Sequence, residues 1–182
     1  MGTIITLGES LDAETAAQLR KLLGSGFRDW TVEETRVVTF DALNVASISV
    51  FLDHAAGLEG FRDSSEAMDH SQWKNLPYWM NSLWLPIEHS SVLPVVLEAN
   101  AETLFAGTAS GLISDLEGIK AKSPERLGVA PPFFDLMVAR RREFHQINIH
   151  LDKTETLQWV WLAFRTAADM AVKENVMMSW GG

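Results

Sequence analysis

One long amphipathic helix constrains the fold of this chain more than any other feature of its sequence. Between residues 157 and 172, apolar residues recur at the i, i+3, i+4, i+7 spacing that places side chains on one helical face. Asp152 and Glu155 have the spacing of a capping box, in which each side chain accepts a hydrogen bond from the other residue's backbone. The sequence therefore predicts a core-facing helix over residues 154–175.

Length and composition indicate a single folded domain. The chain has 182 residues, 47% hydrophobic and 21% charged, which is the balance of a globular protein. It shows no internal repeat and no low-complexity linker, so we predict one domain over residues 1–182. It contains no cysteine, which excludes disulfides, thiolate zinc sites and a cysteine nucleophile.

The charge balance bears on the choice of partner. A net charge of −9 argues against nucleic acid, which needs clustered Lys and Arg, and suits a basic protein partner. No apolar run approaches the ~20 residues of a membrane span, and no signal peptide is visible. We expect a cytoplasmic protein without a membrane partner, and the sequence is compatible with a homo-oligomer.

The other periodic segments predict a mixed α and β domain. Residues 3–7 and 36–40 predict strands that are each followed by a helix, and a parallel pair with a right-handed crossover if the strands are neighbours. Residues 92–97 and 103–108 predict a hairpin, followed by a helix capped at Ser110. A further helix from Pro131 and a strand over residues 145–151 complete the prediction. We predict an α+β fold, a mixed sheet of about five strands covered by amphipathic helices, with a three-layer α/β domain as the alternative.

Three of the seven tryptophans, Trp73, Trp79 and Trp84, cluster in a weakly periodic segment. Pro77 and Pro86 bracket the last two, and because proline cannot donate to a central strand ladder, we predict a short helix between them. Exposed tryptophans here would be interface anchors, whereas burial in the core is the commoner fate of large aromatic side chains. The sequence leaves both alternatives open.

Residues 107–111 form the candidate ligand-binding turn. Gly107, Thr108, Ser110 and Gly111 lie between a predicted strand and a predicted helix, where backbone N–H groups and the helix dipole could bind a phosphate or carboxylate. Asp41 follows a predicted strand, the position where sites of open α/β sheets lie. A small ligand-binding or hydrolytic domain would bring Asp41 and this turn together at one end of the sheet. The alternative for residues 107–111 is a plain capped helix start. The alternative for Asp41 is a carboxylate in a turn that enters a helix.

Other patterns indicate no catalytic residue, metal or cofactor. The glycines at positions 24 and 26 follow a predicted helix, so they predict a helix C-cap and not a dinucleotide site. None of the five histidines has a partner at i+4 that would form a metal site on one helical face. No Ser, His and carboxylate combination stands out, and the basic run at residues 140–142 predicts a solvated helix end. The sequence does not decide whether the protein is an enzyme, and we prefer the hypothesis of a non-enzymatic protein.

The segment VVLEANAETLFAGTASGLISDLEGIKA, residues 95–121, precedes a Trp159-Val160-Trp161 run. Together they resemble small bacterial proteins of the polymorphic-toxin immunity kind, over about the last half of the chain. The resemblance implies a cytoplasmic, non-enzymatic protein that binds and blocks a toxin, and it carries over no functional residue. Our first hypothesis is therefore a non-enzymatic protein-binding domain, an immunity-type inhibitor being one form of it.

Overall fold

One mixed β-sheet organises the residues that the structure describes. This computed structural model describes residues 3–33, 38–43, 45–78, 82–87, 95–99, 102–128 and 152–181. The strands are β1 (Thr3–Leu7), β2 (Val38–Leu43), β3 (Ser82–Leu85), β4 (Val95–Ala99), β5 (Glu102–Thr108) and β6 (Met178–Gly181). They form a six-stranded sheet in the order β2-β1-β6-β3-β5-β4, so the last strand along the chain lies between β1 and β3.

Helices accompany this sheet in an α+β arrangement, as the sequence predicts. They are α1 (Ala13–Leu23), α2 (Val45–Leu58), α3 (Ser64–Ala67), α4 (Ala109–Lys122), α5 (Pro124–Leu127) and α6 (Lys153–Glu174). Strands β3 and β5 pair in parallel, and the other pairings of the sheet are antiparallel. None of these described helices has the length and apolar character needed to cross a bilayer.

The two faces of the sheet carry separate apolar clusters. Along β3, Trp84 belongs to the cluster that includes residues of α2, α4 and α6, whereas Leu83 and Leu85 belong to the cluster with Leu19 of α1 and with Trp30. Successive side chains of a strand point to opposite faces, so this alternation places helices on both sides. The layering is that of the predicted three-layer alternative, but the mostly antiparallel pairing is that of an α+β fold.

Helix α6 is the central element of the larger cluster. Its start carries the predicted capping box, and it ends at Asn175, which adopts the left-handed conformation with φ 52°. Trp159 and Leu162 are 4% and 8% exposed, so the buried surface extends beyond a single stripe. Phe164 lies edge-on to both Trp84 and Trp180, with ring centroids 5.9 and 6.3 Å away. The helix is therefore a scaffold packed on several sides, as its sequence indicates.

The predicted parallel pair at the start of the chain is wrong. Strands β1 and β2 are neighbours, but they pair in antiparallel fashion, with Leu7 opposite Val38. The reason lies in the return segment after α1: the N–H of Val32 donates to the carbonyl of Gly8 at 2.9 Å. The chain thus comes back to the end of the sheet that it left, and β2 must run in the opposite direction.

The helix predicted between Pro77 and Pro86 is also wrong. Residues Ser82–Leu85 form β3, which pairs with β6 on one side and β5 on the other. The prolines do not prevent this because the strand is short and both lie outside it, where no ladder N–H is required. Burial of the whole strand at the centre of the sheet outweighs the weak local signal.

Of the remaining predicted elements, some are confirmed, one begins at a different residue, and others lie outside the described residues. Strands β4 and β5 form the predicted hairpin, and Gly24, at φ 52°, ends α1 as expected of a C-cap. Helix α4 begins one residue before Ser110, and its cap is Thr108. The predicted helix from residue 131, the basic run at 140–142 and the strand at 145–151 lie outside the described residues.

Candidate functional site

Asn75 is a buried polar residue that joins α4, β3 and β5. Its backbone N–H and its Nδ2 donate to Asp115 Oδ2 at 2.7 and 3.2 Å. Its Oδ1 accepts from the N–H of Thr108 at 3.1 Å, and its carbonyl accepts from Trp84 Nε1 at 2.7 Å. Because Asn75 is only 8% exposed, these hydrogen bonds satisfy polar groups that would otherwise be costly to bury.

The predicted ligand-binding turn is built around Asn75. A Cβ atom at Gly107 would lie 2.8 Å from Asn75 Oδ1, and one at Gly111 would lie 2.5 Å from Asn75 Nδ2. The two glycines therefore provide room for the asparagine side chain. Thr108 Oγ1 accepts from the N–H of Gly111 at 3.0 Å, and Ser110 Oγ donates to the carbonyl of Ile87 at 2.9 Å. The four predicted residues lie together, but they bind other groups of the chain itself.

Asp41 lies far from this turn. It is inside β2 and does not follow the strand, and β1, β6 and β3 stand between β2 and β5. Four interstrand spacings of ~4.8 Å amount to roughly 19 Å. Moreover, β2 ends beside Thr3, at the start of β1, whereas β5 ends beside Leu85, at the opposite end of the sheet. A shared pocket at Asp41 and the glycine turn is therefore excluded, and with it the enzyme hypothesis in that form.

Two of the three clustered tryptophans are core residues. Trp73 is 4% exposed and Trp84 is fully buried, whereas Trp79 lies outside the described residues. The Nζ of Lys122, on α4, lies 4.9 Å from the centre of the Trp73 ring, so a cation packs over this tryptophan. A role as interface anchors requires exposed rings, and neither Trp73 nor Trp84 supplies one.

Ionisable groups gather beside Asn75. Ser71 Oγ donates to Glu59 Oε2, and the N–H of Gln72 donates to Oε1 of the same carboxylate at 2.9 Å. Burial raises the pKa of Asp115 to about 6, although the hydrogen bonds from Asn75 oppose this shift. Burial likewise raises the pKa of Tyr78 to about 12. The Tyr78 hydroxyl is enclosed near Ser71, and it makes no hydrogen bond of good geometry within the described residues.

A second polar group joins α2 to the end of α4, and it differs from a hydrolase triad. His54 Nε2 lies 3.1 Å from Ser123 Oγ, which donates to Glu125 Oε1 at 3.0 Å. The serine stands between the imidazole and the carboxylate, and it is fully buried, so it is not placed as a nucleophile. Burial, followed by the positive charges of Arg126 and Lys153, lowers the pKa of His54. The group is a hydrogen-bonded junction between helices.

An open cavity of about 350 Å³ lies at the start of α1, beside the end of β1. This volume is at the lower end of the range of small-ligand sites, which is about 300–1,000 Å³. Of its apolar lining residues, Leu11 is partly exposed, whereas Leu83 and Met177 are buried. Its polar lining consists of two carboxylates and four hydroxyls: Glu9, Asp12, Ser10, Thr15, Ser82 and Ser179.

The electrostatic character of this acidic cavity is one-sided. Among the described residues that line it, none is Lys, Arg or His. The Thr15 hydroxyl and the backbone N–H groups of Thr15 and Glu14 donate to Asp12, and these hydrogen bonds hold the pKa of Asp12 below its ordinary value. The carboxylate of Glu9, which is exposed, accepts from Ser179 Oγ at 3.3 Å. The cavity thus presents negative charge and hydroxyl oxygens to whatever enters it.

Sequence reasoning missed both Asn75 and the acidic cavity. Asn75 stands in a polar segment without periodicity, and its partners lie 9 to 40 residues away along the chain. The spacing of Gly107 and Gly111 around a helix start was the available signal, because paired glycines indicate that another group approaches the backbone closely. Nothing in the sequence indicates that Ser82 and Ser179 of two strands meet residues 9–15. Among the described residues, no cluster of three or more His, Asp or Glu side chains could hold a metal ion.

Comparison with protein-family models, with curated proteins and with solved structures found no match to this chain. The resemblance to immunity-type proteins therefore stays a prediction from the sequence.

Proposed function

We propose that this chain is a non-enzymatic protein-binding domain for a basic partner, and that its acidic cavity receives a cationic side chain of that partner. The observation that carries the proposal is the lining of the cavity, in which the charged residues among those described are Glu9 and Asp12. The net charge of −9 supports it, because a negative field accelerates encounter with a positive surface.

The chemistry of the cavity fits a lysine or arginine side chain. The alkyl part of such a side chain can pack on Leu11 while its charged end meets carboxylate and hydroxyl oxygens. Glu9 is the better contact for a ligand, since Asp12 is already engaged as the N-cap of α1. A toxin inhibitor of the kind implied by the sequence resemblance would use such a site to hold a basic surface of its target.

A peptide titration followed by amide chemical shifts tests this function. We expect an oligolysine peptide to shift the amide signals of residues around the cavity, Ser10 and Ser179 first, and an oligoglutamate peptide to leave them unchanged. Attraction between exposed charges is screened by salt, so raising the ionic strength should weaken the binding of oligolysine. Glu9→Gln should weaken it several-fold at low salt, because it removes the accessible carboxylate.

The matched control is Glu174→Gln, which removes one negative charge at the end of α6 from a residue that is not among those lining the cavity. Its side chain is 52% exposed, and the substitution should leave the titration unchanged. Equal weakening by the two substitutions would mean that only overall charge matters, and the cavity proposal would be wrong. Shifts that do not include the cavity residues would also contradict it.

A further inference from the structure

The two carboxylates of the acidic cavity already accept hydrogen bonds from the chain itself. Asp12 Oδ1 accepts from the N–H groups of Glu14 and Thr15 at 3.0 and 2.9 Å, and Asp12 Oδ2 accepts from Thr15 Oγ1 at 2.6 Å. Glu9 Oε2 accepts from the hydroxyl of Ser179, on β6, at 3.3 Å. Neither carboxylate therefore has both of its oxygens free of a hydrogen bond.

This engagement disfavours a guanidinium group as the ligand. Arginine binds a carboxylate best through two parallel hydrogen bonds, one to each oxygen, because its planar fork fixes the direction of both donors. At Glu9 one of these bonds would compete with the bond from Ser179, and at Asp12 one oxygen already has two donors. A bidentate arginine pair thus requires the chain to give up a hydrogen bond of its own.

The same arrangement suits a primary ammonium group. An ammonium has three donors that diverge, so it needs single acceptors from several directions and not a pair on one carboxylate. Because the hydroxyl proton of Ser179 is directed to Glu9, this hydroxyl offers its lone pairs to a ligand. The other oxygen of Glu9 and the hydroxyl of Ser10, an exposed lining residue, supply further acceptors.

We propose that the acidic cavity selects a lysine side chain of the partner over an arginine side chain, because its acceptors match three divergent donors and not a planar fork. This inference rests on the proposed function, since it names the cation that the cavity receives. Negative charge alone attracts both side chains, so a preference for lysine reports the hydrogen-bonding geometry of the cavity.

A titration of the full chain with three peptides of equal length and charge tests the preference. The peptides are oligolysine, oligoarginine and oligo-trimethyl-lysine, in which methyl groups replace the ammonium N–H donors while the charge and the alkyl chain remain. Dissociation constants come from the amide shifts of Ser10 and Ser179. Since one net hydrogen bond corresponds to a roughly two- to tenfold change in affinity, we expect oligolysine to bind more tightly than either other peptide by about that factor.

Ser179→Ala tests the geometry that the inference assigns. It removes the hydroxyl that engages Glu9, so both oxygens of this carboxylate become available to arginine. The preference for lysine should then fall below about twofold. The matched control is Ser49→Ala, which removes the hydroxyl of an exposed serine of α2 that is not among the residues lining the cavity, and it should keep the full preference.

The outcomes distinguish this inference from the function on which it rests. Equal or tighter binding of oligoarginine or of the trimethylated peptide at the cavity amides would overturn the choice of lysine and leave the cation site in place. The absence of shifts at these amides with every peptide would contradict the proposed function and the inference together. A preference for lysine that Ser179→Ala leaves unchanged would also overturn the inference. The comparison of the three peptides needs no substitution, so it decides the matter even where Ser179→Ala does not fold.

Discussion

Helix α6 and the segments 73–78 and 82–85 all contribute buried residues to the larger apolar cluster, but they do so in different ways. Helix α6 is specified by local sequence features. Its capping box, its apolar spacing and its left-handed end at Asn175 all lie within or beside it. The other two segments include a central strand whose partners, β5 and β6, come from distant parts of the chain.

The two regions differ in whether local or long-range interactions decide their conformation. In α6, local hydrogen bonds and spacing agree with the final packing, so the sequence alone predicts the element. In the other two segments, the conformation is decided by contacts that Asn75 and Trp84 make with residues far away. Substitutions in the two regions should therefore differ in cost, and they should do so in a definite order.

The largest effect is expected from Trp84→Ala. The side chain is fully buried at the centre of the sheet, so its removal should cost about 3–5 kcal/mol of unfolding free energy. Urea unfolding followed by circular dichroism measures this cost. Trp84→Phe, which keeps a ring but removes the donor to the Asn75 carbonyl, should cost only about 1–3 kcal/mol. A loss below about 1.5 kcal/mol for the alanine variant would contradict the expected dependence of the central strand on its distant partners.

A somewhat smaller loss is expected from Asn75→Ala, about 2–4 kcal/mol. The substitution leaves the buried N–H of Thr108 without its acceptor and removes the side-chain amide donor to Asp115. Chemical denaturation at pH 7 provides the measurement. Gln72→Ala, whose side chain is exposed in the same loop, should change stability by no more than about 0.5 kcal/mol. Similar losses in the two variants would show that the loop, not the asparagine, is sensitive.

Two glycines that lie in helices should respond to alanine substitution with opposite signs. Gly111→Ala should destabilise by about 1–3 kcal/mol, since the new Cβ would press on Asn75 and Thr108. Gly57→Ala, in α2, meets nothing within 4 Å and should stabilise by up to about 1 kcal/mol through helix propensity. Thermal unfolding of both variants gives the two signs. Stabilisation by Gly111→Ala would mean that propensity outweighs the contact with Asn75.

The smallest effect is expected at the start of α6. Asp152→Ala removes the side-chain half of the capping box and should cost about 1 kcal/mol. Asp152→Asn, which retains an acceptor for the N–H of Glu155, should recover most of this loss, as followed by chemical denaturation. A cost above about 3 kcal/mol would indicate that the local signal matters as much as the long-range contacts.

The sequence predicted the elements whose signals are local and failed where partners are distant. It predicted α6, the β4–β5 hairpin and the α+β class, because periodicity and capping decide these features within a few residues. It placed Gly107, Thr108, Ser110 and Gly111 in one turn but not the asparagine that fills that turn. It missed the direction of β2, since this depends on where Val32 meets Gly8, and it missed the acidic cavity, which needs two strands and a loop to meet.

The position of β6 has a consequence for the order of folding. This strand follows every other described strand along the chain, yet it joins β1 to β3 and so connects the two halves of the sheet. Until it emerges, β1 and β3 each present an open edge, and open edges favour pairing with other chains. Closure of the sheet thus follows the synthesis of the other described strands, and it pairs residues as distant along the chain as Ile4 and Gly181. Such a high separation between contacting residues predicts slow folding for a protein of this size.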